Sequence, residues 1–241
     1  MRAALEAWAS FPVKAAVRPL VLISDPVSAP AFGFATVDAK EAFLAGVFVA
    51  PSSFPPGPRQ AESFPLITAE QALALMRAEG TPAGGAPRAP TPLVITGVRF
   101  GASSFETDRG IRTLPAWLFS FEGVPNPAAV IAVGAPPRFP SPPEAYFSTM
   151  GARVAADGRS ATITFVGARA GKGPCTADYS VDQLASNTAV AITIRQTRQG
   201  RGPGPCLAIG YPRHERVELA SPLGNRVLVD AKTKGPIAIA P

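Results

Sequence analysis

One histidine, two cysteines, three methionines, two tryptophans and three tyrosines make up the whole stock of rarer side chains in this 241-residue chain. Each shortage excludes something. A Ser–His–Asp or Cys–His catalytic arrangement has only His214 to draw on, and no Gly-x-Ser-x-Gly elbow accompanies it. The two cysteines resemble no CxxC redox or zinc motif, and two ligands do not make a four-coordinate zinc site. No apolar run approaches the roughly 18 residues that would suggest a membrane span. The first 23 residues (MRAALEAWASFPVKAAVRPLVLI) lack the order of basic region, apolar run and small-residue cleavage site of a signal peptide, so no export signal is expected from them.

What is present points to strands. Hydrophobic residues are 46% of the chain and charged residues 17%, which is globular rather than disordered. The 28 prolines and 22 glycines punctuate short apolar runs. That composition favours strands joined by many turns, with few helices. The expected fold class is α+β and β-rich: an antiparallel sandwich or open barrel in the C-terminal part, a few short helices in the N-terminal part. The organisation reads as an N-terminal α+β segment with Pro-rich loops, residues 1–92, and a β-rich segment, residues 93–241. The Pro/Gly-rich stretch 81–92 (TPAGGAPRAPTP) reads equally as a domain boundary and as a loop within one domain. A second candidate break lies at 136–150.

The net charge is +6, and the densest basic stretches are residues 195–201 (RQTRQGR) and 213–216 (RHER). Neither interleaves arginines with aromatics as a stacking platform for nucleic acid would. Solvated arginine-rich loops are the expectation, and nucleic acid is not an expected partner.

Local signals place several elements. Residues 3–10 read as a short helix ended near Pro12, and residues 19–23 as a buried strand. Residues 39–46 read as a helix with Asp38 as N-cap and Phe43 and Leu44 facing inward. The best helix begins at Thr68, with Gln71 three residues on as in a capping box and Gly80 at its end; Ala69, Ala72, Leu73 and Met76 form its apolar stripe. Strands are expected at 93–100, 110–114, 116–121 and 128–133, and Trp117, Phe119 and Phe121 alternate onto one sheet face as core. Asp157-Gly158 between alternating runs signals a β-hairpin. Further strands are expected at 177–184, 188–196, 206–210, 216–220, 226–229 and 237–239.

Candidate chemistry is sparse. His214 has charged neighbours and reads as a surface residue. A carboxylate pair of the glycosidase kind has as candidates Glu106, Asp108, Glu122, Glu144, Asp178, Asp182 and Asp230. Even spacing lets Asp178 share a strand face with Asp182, and Glu106 with Asp108; charged residues at turns and exposed faces are the simpler account. Gly171-Lys172 is not a phosphate loop, because Gly173 replaces the Ser or Thr and Pro174 blocks the helix that must follow. No catalytic, metal or cofactor site is expected. Cys175 and Cys206 bracket a strand and invite a disulfide, with free structural thiols as the alternative.

The C-terminal block adds a resemblance. Cys175, Tyr179, residues 188–190, Cys206, Gly210, Tyr211 and residues 219–230 (LASPLGNRVLVD) form a pattern of Cys-x-x-x-Tyr, a Thr-Ala-Val strand, a second Cys with Gly-Tyr, and a Leu-x-x-Pro-Leu-Gly-x-Arg-Val-Leu-Val-Asp ending. It resembles the tail of uncharacterised actinobacterial proteins of the secreted fraction or cell envelope. The resemblance implies a disulfide-bearing β module outside the cytoplasm and brings no catalytic role. The expected function is a non-enzymatic secreted or envelope-associated binding module with a protein or envelope partner. The alternatives are a small carboxylate-dependent hydrolase or carbohydrate-active enzyme, and a structural component of a larger assembly.

Overall fold

The computed structural model of the chain describes all residues except 62–63, 81–89, 136–137, 143–144, 146–147, 149, 201–205, 207–208 and 241. The described residues begin with α1 (Arg2–Ala7), β1 (Leu20–Val21), β2 (Val27–Ser28), α2 (Val37–Leu44), β3 (Phe48–Val49), β4 (Gln60–Ala61), β5 (Phe64–Pro65) and α3 (Ala69–Ala78). Only strands follow: β6 (Leu93–Thr107), β7 (Gly110–Phe121), β8 (Ala128–Ile131), β9 (Arg138–Phe139), β10 (Gly151–Val154), β11 (Ser160–Gly167), β12 (Ala177–Ala185), β13 (Ala189–Gln199), β14 (Tyr211–Glu218), β15 (Val227–Asp230) and β16 (Ala238–Ala240). The fold is α+β and β-rich. Unit 1 consists of Met1–Ser24, Glu106–Gly110 and Phe139–Pro241, and unit 2 of Asp25–Phe105 and Ile111–Arg138. Residues 81–89, the core of the linker-like stretch, lie outside the described residues.

Unit 2 is a helix-covered sheet. Its strands run in the order β2-β8-β7-β6-β3, with β3 parallel to β6 and β8 antiparallel to both β2 and β7. Alternation along β7 puts Trp117, Phe119 and Phe121 on one face, where they pack with Phe43 and Ala42 of α2 and with Ala69, Ala72, Leu73 and Met76 of α3. The rings meet mostly edge-on, Phe43 against Phe121 at 5.9 Å and Phe100 against Trp117 at 5.4 Å, the favoured geometry for aromatic pairs. The Trp117 indole donates to the Ile67 carbonyl at 2.9 Å.

The α3 capping box is complete. The Thr68 hydroxyl accepts from the Gln71 amide, and the Gln71 side chain accepts from the Thr68 amide. At α2 the expectation needs correction: Thr36 is the N-cap, accepting from the Ala39 amide, and Asp38 lies in the first turn. Leu44 points outward, 51% exposed, about 100° round the helix from Phe43, which stays inside. Gly46 and Gly80 bring the ends of the two helices together. A Cβ on Gly80 would lie 2.7 Å from the Ala45 carbonyl carbon, and one on Gly46 would lie 2.8 Å from the Arg77 oxygen.

The segments 110–114 and 116–121 form one strand through Pro115. Pairing of β7 with β8 ends at Ala116–Ile131, so the residue without an N–H sits where that ladder stops, and its carbonyl still accepts from Ala132. Strand β6 likewise continues past Gly101 to Thr107.

Unit 1 is layered. One sheet has the order β14-β11-β10-β16 and the other β12-β13-β15. Ala152, Ala161, Ile163 and Ile239 of the first face Val190, Ile192 and Leu228 of the second across an aliphatic core. The opposite side of the second sheet, Ala189, Ala191, Val227 and Val229, is covered by Ala4, Trp8 and Phe11 of the N-terminal segment. The parallel pair β13–β15 is thus buried on both faces, which is why Ala189–Ile192 and Val227–Val229 read as unbroken apolar runs. Pairing of β10 with β16 is also parallel, and the β10–β11 hairpin turns at Asp157-Gly158, with Gly158 at φ +69°. Between β15 and β16 the Ile237 amide donates to the Leu228 carbonyl, linking the two sheets along one side. Strand β14 starts at Tyr211 rather than at residue 216, because it is an edge strand and tolerates Pro212.

The most deeply buried acid among the described residues of unit 1 is Asp108, 1% exposed, paired with Arg18 through both carboxylate oxygens and 3.7 Å from Arg109 Nε. Arg109 also donates to the Gly224 and Arg226 carbonyls. Burial, then the neighbouring Arg18 charge, lower the Arg109 pKa, and Asp108 opposes them.

Candidate ligand-binding cleft

A cleft of about 560 Å³ opens in unit 1 where the connection from β11 to β12 meets the approach to β14. One lip is residues 168–176. Its backbone is irregular, with Gly171 at φ +127° and Cys175 left-handed at φ +61°, and Pro174 between them cannot donate to a ladder. Internal bonds hold it: the Ala177 amide donates to the Arg169 carbonyl at 3.0 Å and the Thr176 hydroxyl to the Gly173 carbonyl at 2.6 Å. The lip rests on the end of β13, where the Gly200 amide donates to the Thr176 carbonyl. A Cβ on Gly200 would lie 2.1 Å from the Gly173 oxygen, so no other residue fits.

Tyr179 and Arg213 support this lip from below. The Tyr179 hydroxyl accepts from the Ala168 amide at 2.7 Å, and its ring lies edge-on to Phe165 at 5.1 Å. The Arg213 guanidinium sits 5.0 Å from the Tyr179 ring centre and donates to the Ala168 and Ala177 carbonyls. Gly167 makes room, since a Cβ there would come within 2.9 Å of the Tyr179 ring.

The second lip carries Cys206, Ile209 and Tyr211. Cys175 and Cys206 form a disulfide with Cα atoms 5.4 Å apart, joining the lips covalently across a separation of 31 residues. Residues 206–210 were expected as a strand; Cys206, Ile209 and Gly210 form none, and 207–208 lie outside the described residues. Gln196 and Gln199 at the end of β13, together with Arg169 and Lys172 of the first lip, supply polar side chains to the lining.

Charge around the cleft is ordered. Arg198 donates to the Asp178 carboxylate at 2.6 Å and also reaches the Gly171 carbonyl. That hydrogen bond holds the Asp178 carboxyl below the ordinary range and raises Arg198. Arg195 pairs with Asp182, Arg213 with Glu215 and Arg216 with Glu218, so both basic stretches carry matching acids. Arg169 and Lys172 have no ion-pair partner among the described residues.

The remaining candidates are scattered. His214 is exposed on β14 with Nδ1 3.0 Å from the Thr164 hydroxyl, its cross-strand partner. Asp178 and Asp182 keep their even spacing along β12, since the extra residue of the bulge beside Asp178 and Tyr179 is Thr197 on β13, but each carboxylate is held by an arginine. Glu106 is exposed whereas Asp108 turns inward just beyond β6. Asp230 is buried and structural, accepting from the Lys232 amide and the Ser148 hydroxyl. Glu122 is exposed after β7, and Glu144 lies outside the described residues. Lys172 follows a loop that leads into strand β12 instead of a helix. Among the described residues no group of three or more His, Cys, Asp or Glu side chains is placed to hold a metal ion, and no helix is long and apolar enough to cross a membrane. Sequence reasoning passed over Gln196, Gln199 and Arg213 as bases and amides of a solvated loop. For Arg213 the signal is Gly167, in register opposite Tyr211, which leaves space for the Tyr179 ring that the guanidinium covers; no local pattern marks the two glutamines.

No family model matches the chain, and neither a curated protein nor a solved structure matches it.

Proposed function

We propose that the protein is a non-enzymatic binding module of the cell envelope or secreted fraction, and that the disulfide-joined cleft is its ligand site. The observation that carries this reading is the bridge between the two lips. Cys175 and Cys206 are both on the surface and tie loops rather than core strands, so the bond fixes the shape of the cleft. A surface disulfide persists in oxidising compartments and is reduced in most cytosols. The cleft volume is within the range of small-molecule sites, which run to about 300–1,000 Å³. Polar groups converge on it from two strands and a loop.

Fractionation of the native host with thiol labelling tests the reading. The protein is expected in the envelope or medium, with no alkylatable cysteine until a reductant is added. Recovery in the cytosol with two labelled thiols overturns it.

A further inference from the structure

We infer that the cleft selects an anionic saccharide: a sugar bearing a carboxylate or a phosphate. The inference rests on the cleft being a ligand site and adds the chemistry of the ligand. Its first support is charge. Among the described residues the lining includes Arg169 and Lys172 but no Asp or Glu. Neither cation is neutralised by an ion pair among the described residues, while Arg195, Arg198, Arg213 and Arg216 nearby all are. A concave surface that leaves two cations unmatched favours a ligand that brings the missing anion.

The second support is the neutral lining. Gln196 and Gln199 offer side-chain amides that both donate and accept, and Tyr211 offers a hydroxyl and a ring face. Such groups recognise hydroxyls in pairs. Several loop carbonyls are already engaged within the protein: Ala168 and Ala177 by Arg213, Gly171 by Arg198, and Gly173 by Thr176. The charged side chains that line the cleft among the described residues are thus all cationic. The surrounding residues Ala168, Ala170, Gly171 and Gly173 are small, which leaves the volume open for a ring.

Titration of the full-length oxidised protein by two-dimensional NMR distinguishes the outcomes. The probes are a galacturonate trisaccharide, glucose 1-phosphate and neutral maltotriose, each at low and high salt. The inference expects shifts at Gln196, Gln199 and Tyr211 with one of the acidic probes, and at least tenfold weaker binding of maltotriose. It also expects a loss of about tenfold on adding salt. The galacturonate and phosphate arms separate carboxylate from phosphate recognition. Lys172→Gln and Arg169→Gln, both exposed, are expected to weaken the acidic probe at least tenfold with an unchanged thermal midpoint. Equal binding of maltotriose, or indifference to both substitutions, overturns the anionic ligand and leaves the cleft a binding site. Absence of shifts at the cleft with every probe overturns the inference, while the host fractionation still decides the compartment.

Discussion

The two units bury different things. Unit 2 packs Trp117, Phe119, Phe121, Phe43 and Phe48 under two helices, whereas the cluster between the two sheets of unit 1 is aliphatic among the described residues, with Phe165 and Tyr179 packed edge-on beside it. Three further aromatics of unit 1 (Trp8, Phe11 and Phe139) sit in the outer layer, packed at 5.1 to 6.2 Å from one another. A sheet covered by helices has room for rings in the gap. Two sheets close to each other interdigitate alanine, valine, isoleucine and leucine. Each unit then completes its stability by its own means. Unit 2 uses a capped helix and close glycine contacts. Unit 1 uses a buried ion pair and a covalent bridge.

Three variants break or sharpen that contrast. The largest effect is expected from Trp117→Ala, which removes a fully buried ring and its hydrogen bond to Ile67, at about 3–5 kcal/mol. Residue-resolved hydrogen exchange is expected to show lost protection in β7 and β8 ahead of β11 and β13; simultaneous loss would mean the two units unfold as one. Next is the paired change Cys175→Ser with Cys206→Ser, expected to cost about 3–4 kcal/mol from loop closure over 31 residues. Denaturant unfolding measures it, and exchange is expected to rise around β12 and β14 with α3 unaffected. The smallest is Thr68→Ala, about 1 kcal/mol through loss of the capping box. Its signature is fraying of the first turn of α3 with unit 1 unchanged; an equal loss of protection in β13 would contradict the separation.

Much of the architecture was legible because local chemistry and tertiary demand agree. Thr68 and Gln71 cap a helix wherever they occur at that spacing before an apolar stripe, and Asp157-Gly158 makes a hairpin turn by its backbone preference alone. Errors arose where a tertiary circumstance relaxed a local rule. Pro115 and Pro212 sit within strands because one lies where a ladder ends and the other on an edge. Asp38 and Thr36 are both good N-caps, and composition does not choose between them. The cysteines were legible as a pair, but the cleft was not. It is assembled from residues 168–177, two glutamines on β13 and the entry to β14, and its electrostatics depend on which arginines find acids across a strand. No pattern along the chain encodes that pairing.

Helix α1 has a consequence for how the chain is made. The Trp8 indole donates to the Lys234 carbonyl across 226 residues, and the face it covers belongs to Ala189, Ala191, Val227 and Val229. During synthesis every residue of unit 2 exists once position 138 has been added, so that unit can settle early. The opening segment has no sheet to cover until β13 and β15 emerge. A chain ordered this way holds α1 in waiting, with Trp8 and Phe11 unsheltered, until β13 and β15 arrive.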